Sequence, residues 1–297
     1  MAFVGQTTFF EACSLQEPAN GLIPRFFEFR AGADADALLA GLRDFVPHVV
    51  LVFRPEVVPE GLFAELPAAT LGFLSEPLPR GADAHADLQR RLNELQEVDV
   101  ANFDRIISFD PKIADTAAEV LSVWRSLPLP VADRFFAPVT PMGHPPRILF
   151  VGRSTQHREY LLAPAKLEHD VLHVAFGVSG LELVELLHRH DVAINLHNEN
   201  YPSFENRVSM HLAAGHLVLS EQLDPQHGLE PGIDYLQVDS ASELRRALGV
   251  VTRFPRVHHR VRVRGRLKAE QFRASRVYPR LIADLLGDLD AFGSSRT

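Results

Sequence analysis

Cysteine is nearly absent. The chain has one, Cys13, so it can form no internal disulfide and suits a reducing, cytoplasmic setting. Long apolar runs are missing too, and none approaches the roughly 18 residues that a membrane span requires. The opening "MAFVGQTTFF" lacks the basic start of a signal peptide and reads as a first strand. There is no G-x-G-x-x-G dinucleotide fingerprint, no P-loop and no G-x-S-x-G elbow, which removes the commonest nucleotide-binding and hydrolase signatures. The 14 histidines, including "HRH" at 188–190 and "HH" at 258–259, show neither His-x3-His on a helix face nor zinc spacing with a cysteine. No metal is expected.

At 297 residues the chain exceeds a typical single domain, and its 46% hydrophobic and 23% charged residues are ordinary for a globular enzyme. The net charge of −8 conceals an asymmetry. Between Arg253 and Arg280 ten Arg or Lys face one acid, Glu270, so the remainder carries −17. One reading is a solvated, Arg-rich helix pair facing an acidic neighbour. The other is a partner rich in phosphate, either anionic lipid at the inner membrane face or, as the lesser alternative, nucleic acid.

Short β-rich runs alternate with helical patterns throughout. Strands are expected at "AFVG", "RFFEFR", "HVVLVF", "ATLGFL" and "RIISF", then again at "RILFVG", "VLHVAF", "VAINLH", "LVLSE" and "YLQV". Helices between them include "DADALLAGLRDF", "AHADLQRRLNELQ", "SGLELVELLHRH", "ENRVSMHLAA" and "SASELRRAL", with "HREYLLAPAKL" shortened by its proline. Apolar strands separated by amphipathic helices predict an α/β chain of two Rossmann-like domains, each a parallel sheet covered on both faces. The proline-rich "APVTPMGHPP" divides residues 1–140 from residues 141–275. Residues 276–297 form terminal helices that Pro279 should kink or divide and that cross back to the first domain. Open parallel sheets bind ligands beyond the carboxyl ends of their strands, so two such sheets predict a cleft between the domains.

One passage at such a strand end carries a resemblance. "VAINLHNENYPSFENRVSMHLAAGHLVLSEQLDPQHGLEPGIDYLQVDSASELRRAL" is similar to glycosyltransferases of the GT-B type, and within them to the spore-maturation (CgeB-like) branch of the group 1 enzymes. The likeness covers most of residues 147–290; the first half matches only in architecture. It implies a nucleotide-sugar donor held by the C-terminal domain, an acceptor lying against the N-terminal one, and neither metal nor other cofactor. Domain closure would then keep water from the donor. One position departs. The family usually carries a Glu contacting the donor ribose where "RVSMHLAAG" places Met210, which leaves a catalytically silent binding or scaffold protein as the alternative.

The resemblance assigns donor binding to Gly152 and Arg153 after the second domain's first strand, to Arg158 (with Lys166 more distant), and to His197 and Asn198. Ser203, Glu205, Asn206, Arg207 and Met210 around the following helix start complete the set. Amides at a helix start and guanidinium groups suit a departing diphosphate that no metal neutralises. On local grounds Ser203 or Asn206 is a sound N-cap. Arg207→Ala is expected to weaken donor binding without changing the apo melting point. Ala213, Ala214 and Gly215 read as a close-packed helix end with Gly215 just beyond it. In the first domain Gly5, Gln6, Thr7 and Thr8 could offer amides to a phosphate or an acceptor hydroxyl. Arg54, Glu76 and Asp110 also end strands there, and Glu76 is the carboxylate chosen as general base. "DAD" at Asp34–Asp36 mimics a metal-binding Asp-x-Asp, but it stands where a helix needs a cap.

Overall fold

Short apolar runs that end at glycine or a polar residue build two separate parallel sheets. The computed structural model describes residues 1–80 and 86–296. The "AHADLQRRLNELQ" helix therefore has its first residues, Ala84 and His85, outside the described residues. Two units result: Met1–Ala132 with the segment from Ala274 onward, and Asp133–Arg273. The division thus falls at residue 132 and not within the 137–146 proline stretch, and the terminal segment belongs to the first unit.

In the first unit the strands are β1 (Ala2–Gly5), β2 (Arg25–Glu28), β3 (Val49–Phe53), β4 (Ala69–Leu74), β5 (Arg105–Ser108) and the two-residue β6 (Arg125–Ser126). Their order is β2-β1-β3-β4-β5-β6, and every pairing is parallel. Helices α1 (Thr7–Phe10), α2 (Ala35–Phe45), α3 (Ala86–Leu95) and α4 (Ala114–Ala117) lie between strands, and α10 (Ala274–Phe292) ends the chain. Asp34 caps α2, its carboxylate accepting from the Ala37 amide at 3.0 Å, so the "DAD" decoy is a helix start. Phe53 of the central strand stacks on Phe10 with centroids 4.8 Å apart and sits among Phe3, Phe26 and Phe73.

The terminal helix is tied firmly into this unit. Tyr278 meets the Phe3 ring edge-on at 4.8 Å and donates its hydroxyl to the Cys13 carbonyl. Pro279 neither ends nor divides the helix, contrary to the expectation from sequence. Proline leaves the carbonyl four residues earlier without its helical donor, and that carbonyl, Ser275, accepts from the Asn20 amide at 2.9 Å. Pro164 is likewise carried inside its helix, which therefore is not shortened.

In the second unit β7 (Ile148–Val151), β8 (Val171–Val174), β9 (Val192–Asn195), β10 (Leu217–Ser220) and β11 (Leu236–Gln237) form a parallel sheet ordered β11-β10-β9-β7-β8. The helices are α5 (Gln156–Glu168), α6 (Gly180–His188), α7 (Asn206–Ala213), α8 (Ala241–Arg253) and α9 (His259–Lys268). β9 and β10 are buried along their whole length, as strands covered on both faces must be. Gly215 follows α7 at φ +79°, and a Cβ there would stand 3.3 Å from a Val139 methyl, so glycine is needed on both counts.

In each sheet the chain order reverses once, between β1 and β3 in the first and between β7 and β9 in the second. Connections run to opposite faces at such a point, and the gap left beyond the carboxyl ends is where open α/β sheets take ligands.

Tyr278→Phe should cost about 1–2 kcal/mol, because it removes the buried hydroxyl's hydrogen bond to the Cys13 carbonyl. Urea denaturation followed by tryptophan fluorescence measures this, and an unchanged midpoint would mean the hydroxyl bond contributes nothing.

Candidate functional site

At the second unit's reversal point, β7 is followed by Gly152 and Arg153 and β9 by Leu196, His197 and Asn198. Gly152 has φ +151°, and a Cβ on it would lie 3.2 Å from Arg158 Nη1. Arg153 is exposed and donates from Nε to Asn198 Oδ1 at 3.1 Å, joining the two strand ends across the gap. Its two Nη groups meet no partner among the described residues. Thr155 caps α5 and gives its hydroxyl to the Asn198 carbonyl at 2.8 Å, closing the same loop from the other side.

Arg158 stands behind this loop and not in front of it. It is buried, donating from Nε to the carbonyls of Leu196 and His197 at 3.0 and 3.1 Å and from Nη1 to that of Arg153 at 3.0 Å. Burial, then the neighbouring Arg207 cation, pull its pKa down to about 9. The donor-contact role expected of Arg158 is thus corrected: it is buried behind the loop, with Nε and Nη1 fixing backbone. Lys166 is engaged as well, with Glu159 at 3.3 Å and His173 at 2.9 Å, while His173 reaches the Gly152 carbonyl at 2.7 Å.

A second cluster fills the start of α7. Its N-cap is Glu205, without a side-chain capping bond, and Asn206 is the first helical residue, so neither Ser203 nor Asn206 caps the helix. Glu205 turns its carboxylate to His197 Nδ1 at 3.0 Å, to Arg207 Nη2 at 3.2 Å and to Asn195 Nδ2 at 3.3 Å. His197 Nε2 lies 2.8 Å from the Gln222 carbonyl. Both of these partners are acceptors, an arrangement that favours the imidazolium. Burial opposes that charge, but Glu205 and then Glu221 overcome it and raise the His197 pKa. Burial likewise disfavours the Glu205 anion, yet the His197 and Arg207 cations hold it well below the usual carboxylate range. Ser203 Oγ sits 3.3 Å from the same Nδ1. Serine and glutamate thus share one nitrogen, and no relay of the Ser-His-acid kind exists.

Arg207 completes this cluster from Nε to Asn195 Oδ1 at 2.7 Å and from Nη2 to the Leu196 carbonyl at 2.6 Å. Its side chain is 17% exposed, so the expectation that its loss leaves the apo protein unchanged does not survive. Met210 is buried within α7, and no carboxylate stands at that position. Sequence reasoning overlooked Glu221, whose Oε2 accepts from the His197 amide at 2.6 Å and whose Oε1 meets His157 at 2.7 Å. The available signal was its place directly after β10, at the same sheet edge as Arg153 and His197.

The first unit has its own gap at the β1–β3 reversal. A cavity of about 170 Å³ lies there, floored by Phe10, Phe29 and Phe53 and rimmed by Gln6, Arg30 and Arg54. Gly5 ends β1, but the Thr7 amide is already taken by Glu28 Oε2 at 2.6 Å, so it is not offered to a phosphate, and Thr8 is exposed on the four-residue α1. Arg54 adopts φ +63°, uncommon for a side-chain-bearing residue, and pairs with Glu56 at 2.7 Å and Glu94 at 3.5 Å. Glu76 pairs with Arg91, and burial raises its pKa against the opposing pull of Arg91 and Arg54. Asp110 is buried, bound by Arg80 at 2.7 Å and capping the next turn through the Lys112 amide at 2.9 Å. It is a structural acid. Among the described residues, no group of three or more His, Cys, Asp or Glu could hold a metal ion.

No protein-family model matches the chain, and no curated protein matches it in sequence. Solved structures do. HepE of Anabaena, determined with UDP and glucose, is 11% identical, with 97% of this chain and 100% of that one covered at a TM-score of 0.61. An α-glucosyltransferase determined with UDP-glucose and DNA containing an abasic site is 11% identical over 96% and 99% of the two chains, at 0.59. Sucrose-phosphate synthase from Thermosynechococcus elongatus is 15% identical over 98% and 89%, at 0.58. The shared feature is the fold: an α/β chain with two parallel sheets, matching GT-B glycosyltransferase structures.

Two outcomes follow from the α7 cluster. Arg207→Ala should lower apo stability by about 2–3 kcal/mol, since it strips charged hydrogen bonds from Glu205, Asn195 and Leu196. The contribution of His197, whose folded pKa is raised, is full below its unfolded value of about 6.5 and fades as pH climbs through the folded value. That of Glu205, whose folded pKa is depressed, is present above about 4.3 and fades as pH falls through its folded value. Urea midpoints of wild type and His197→Gln should therefore differ most between these limits and converge in alkali. The buried neutral pair His211 and His216 pulls the other way in acid in both proteins, so it cancels from the comparison.

Proposed function

We propose that the protein is a glycosyltransferase that moves a sugar from a nucleotide-sugar donor, UDP-linked by preference, to an acceptor alcohol. The observation that carries this is Arg153. It is an exposed guanidinium with unpartnered Nη groups, set beside a left-handed glycine at the reversal point of a sheet, and structures of similar fold were determined with UDP or UDP-glucose. Asn198 orients it, and Arg158 holds the loop rigid from behind. The donor diphosphate would lie against Arg153 and the backbone at Gly152, with no divalent metal. Charge developing on the leaving group is then met by donors fixed before the reaction begins. In this reading His197, Glu205 and Arg207 support this edge through their mutual contacts. The "NLH" strand end and the helix beginning at Asn206 also favour the CgeB-like branch among GT-B enzymes, with Met210 in place of the ribose-binding acid.

The first unit's cavity supports an acceptor site. Its aromatic floor fits the face of one ring, and its polar rim fits hydroxyl groups. Glu76, with its raised pKa and its coupling to Arg54 on that rim, is the general base proposed for transfer with inversion. The acceptor hydroxyl gives its proton to Glu76 as its oxygen bonds to the anomeric carbon, and the bond from that carbon to the diphosphate breaks toward the nucleotide.

Thermal-shift titration with UDP, GDP, dTDP and their sugars tests donor choice. A ligand at a hundred times its Kd raises stability by about 2.7 kcal/mol. Arg153→Ala should leave the apo melting point in place and weaken the UDP shift about tenfold or more in apparent Kd. An undiminished shift would remove Arg153 from the donor site. Release of sugar from the donor, unaffected by EDTA, separates turnover from silent binding. Glu76→Gln should lower that release or transfer by roughly 100-fold while preserving the UDP shift.

A further inference from the structure

The basic run between Arg253 and Arg280 falls into two populations. Arg262 donates to the Gly215 and Thr140 carbonyls at 3.0 and 2.9 Å, and Arg266 to that of Ala137 at 2.7 Å. Arg273 pairs with Asp133 at 3.0 Å and covers the Phe136 ring at 3.8 Å. These three serve the fold. Arg253, Arg256 and Arg260 are exposed and make no ion pair among the described residues, and exposed Arg264 reaches only Asp234, at 3.9 Å.

Large apolar side chains stand among these free cations. Phe254 is 58% exposed and Val257 is 53% exposed, both in the turn that joins α8 to α9. Beside them a cavity of about 380 Å³ opens between the Gly232–Ile233 turn and α9, lined by Ile233, Arg260, Val261 and Arg264. What sets this face apart is the combination: exposed arginines without a close ion pair, exposed apolar side chains and a cavity on one stretch of surface. A nucleic-acid strand would use the cations, and could stack on Phe254, but gains nothing from Ile233, Val257 and Val261. The boundary of a bilayer uses both: headgroup phosphates pair with arginine while aromatic and aliphatic side chains enter the acyl margin. The chain as a whole carries −8 and is repelled by anionic lipid, so any attraction has to come from this patch. No helix among the described residues is long and apolar enough to cross a membrane, which restricts the contact to the surface.

We infer that the Arg253–Arg264 face docks on an anionic bilayer, with a lipid phosphate in the cavity between Arg260 and Arg264 and Phe254 and Val257 at the acyl boundary. The inference is independent of the proposed transfer reaction. The test is sedimentation of the full chain with phosphatidylcholine vesicles, with and without phosphatidylglycerol. Binding should require phosphatidylglycerol. Arg256→Gln and Arg260→Gln should each weaken it about fivefold, the ~1 kcal/mol that a basic residue contributes near an anionic surface. Phe254→Ser should cause a further loss that persists at high salt, where the arginine contribution is screened. All three side chains are exposed, so unchanged melting points will show that the variants fold. The inference is overturned by equal binding to both vesicles, by no binding to either, or by arginine variants that sediment like wild type. It is also overturned if a single-stranded oligonucleotide displaces the protein from vesicles and binds Phe254→Ser as well as wild type.

Discussion

A buried guanidinium holds the second unit's candidate site in shape. Arg158 reaches from α5 to three carbonyls on two strand ends that are neighbours in space and about 40 residues apart in sequence. Loops beyond a sheet are ordinarily its most mobile part, since their carbonyls have no ladder to join. One rigid fork with five donors turns two such loops into a single shelf. Lysine could not replace it, because its single ammonium nitrogen cannot span the same three acceptors in a plane. The lowered pKa of Arg158 reflects the desolvation that this position imposes, and the hydrogen bonds offset it.

The same device recurs. Arg207 takes the Leu196 carbonyl, Arg262 those of Gly215 and Thr140, and Arg296 those of Phe63, Leu66 and Ala68. An arginine-rich composition therefore serves two ends here, tying irregular backbone inside and presenting charge outside. Only coordinates separate them, because the two kinds of arginine alternate within one helix: Arg260 and Arg264 face out, while Arg262 is buried.

Much of the architecture was legible from residue patterns. The ten apolar runs read as strands all became strands, and Asp34 and Gly215 sit at the helix ends their chemistry demands. The two-residue β6 escaped because "RS" has no apolar run to betray it. Prolines misled for a definite reason: their cost is one unsatisfied carbonyl, and a distant partner such as Asn20 can satisfy it. The candidate site was legible as a location more than as a set of roles. Position after a strand picked out Arg153, His197 and the α7 start. Whether an arginine faces solvent or carbonyls depends on partners some 40 residues away, and periodicity carries no record of those. Glu205 illustrates the limit. Its sequence place suggests a helix-dipole partner, whereas its carboxylate is held by His197, Arg207 and Asn195.

The path of the chain has a consequence for construction. The second unit begins at Asp133 and ends at Arg273, and these two side chains are ion-paired at 3.0 Å. Its ends are thus adjacent, and the first unit is completed only when the chain returns as α10. In topology the second unit is a cassette inserted into a host whose own termini both stay with the host. Such an arrangement permits excision: residues 133–273 expressed alone keep every strand of their sheet, and a short linker from Ala132 to Ala274 recloses the host. Evolution can exploit the same property, exchanging such cassettes without disturbing the fold that receives them.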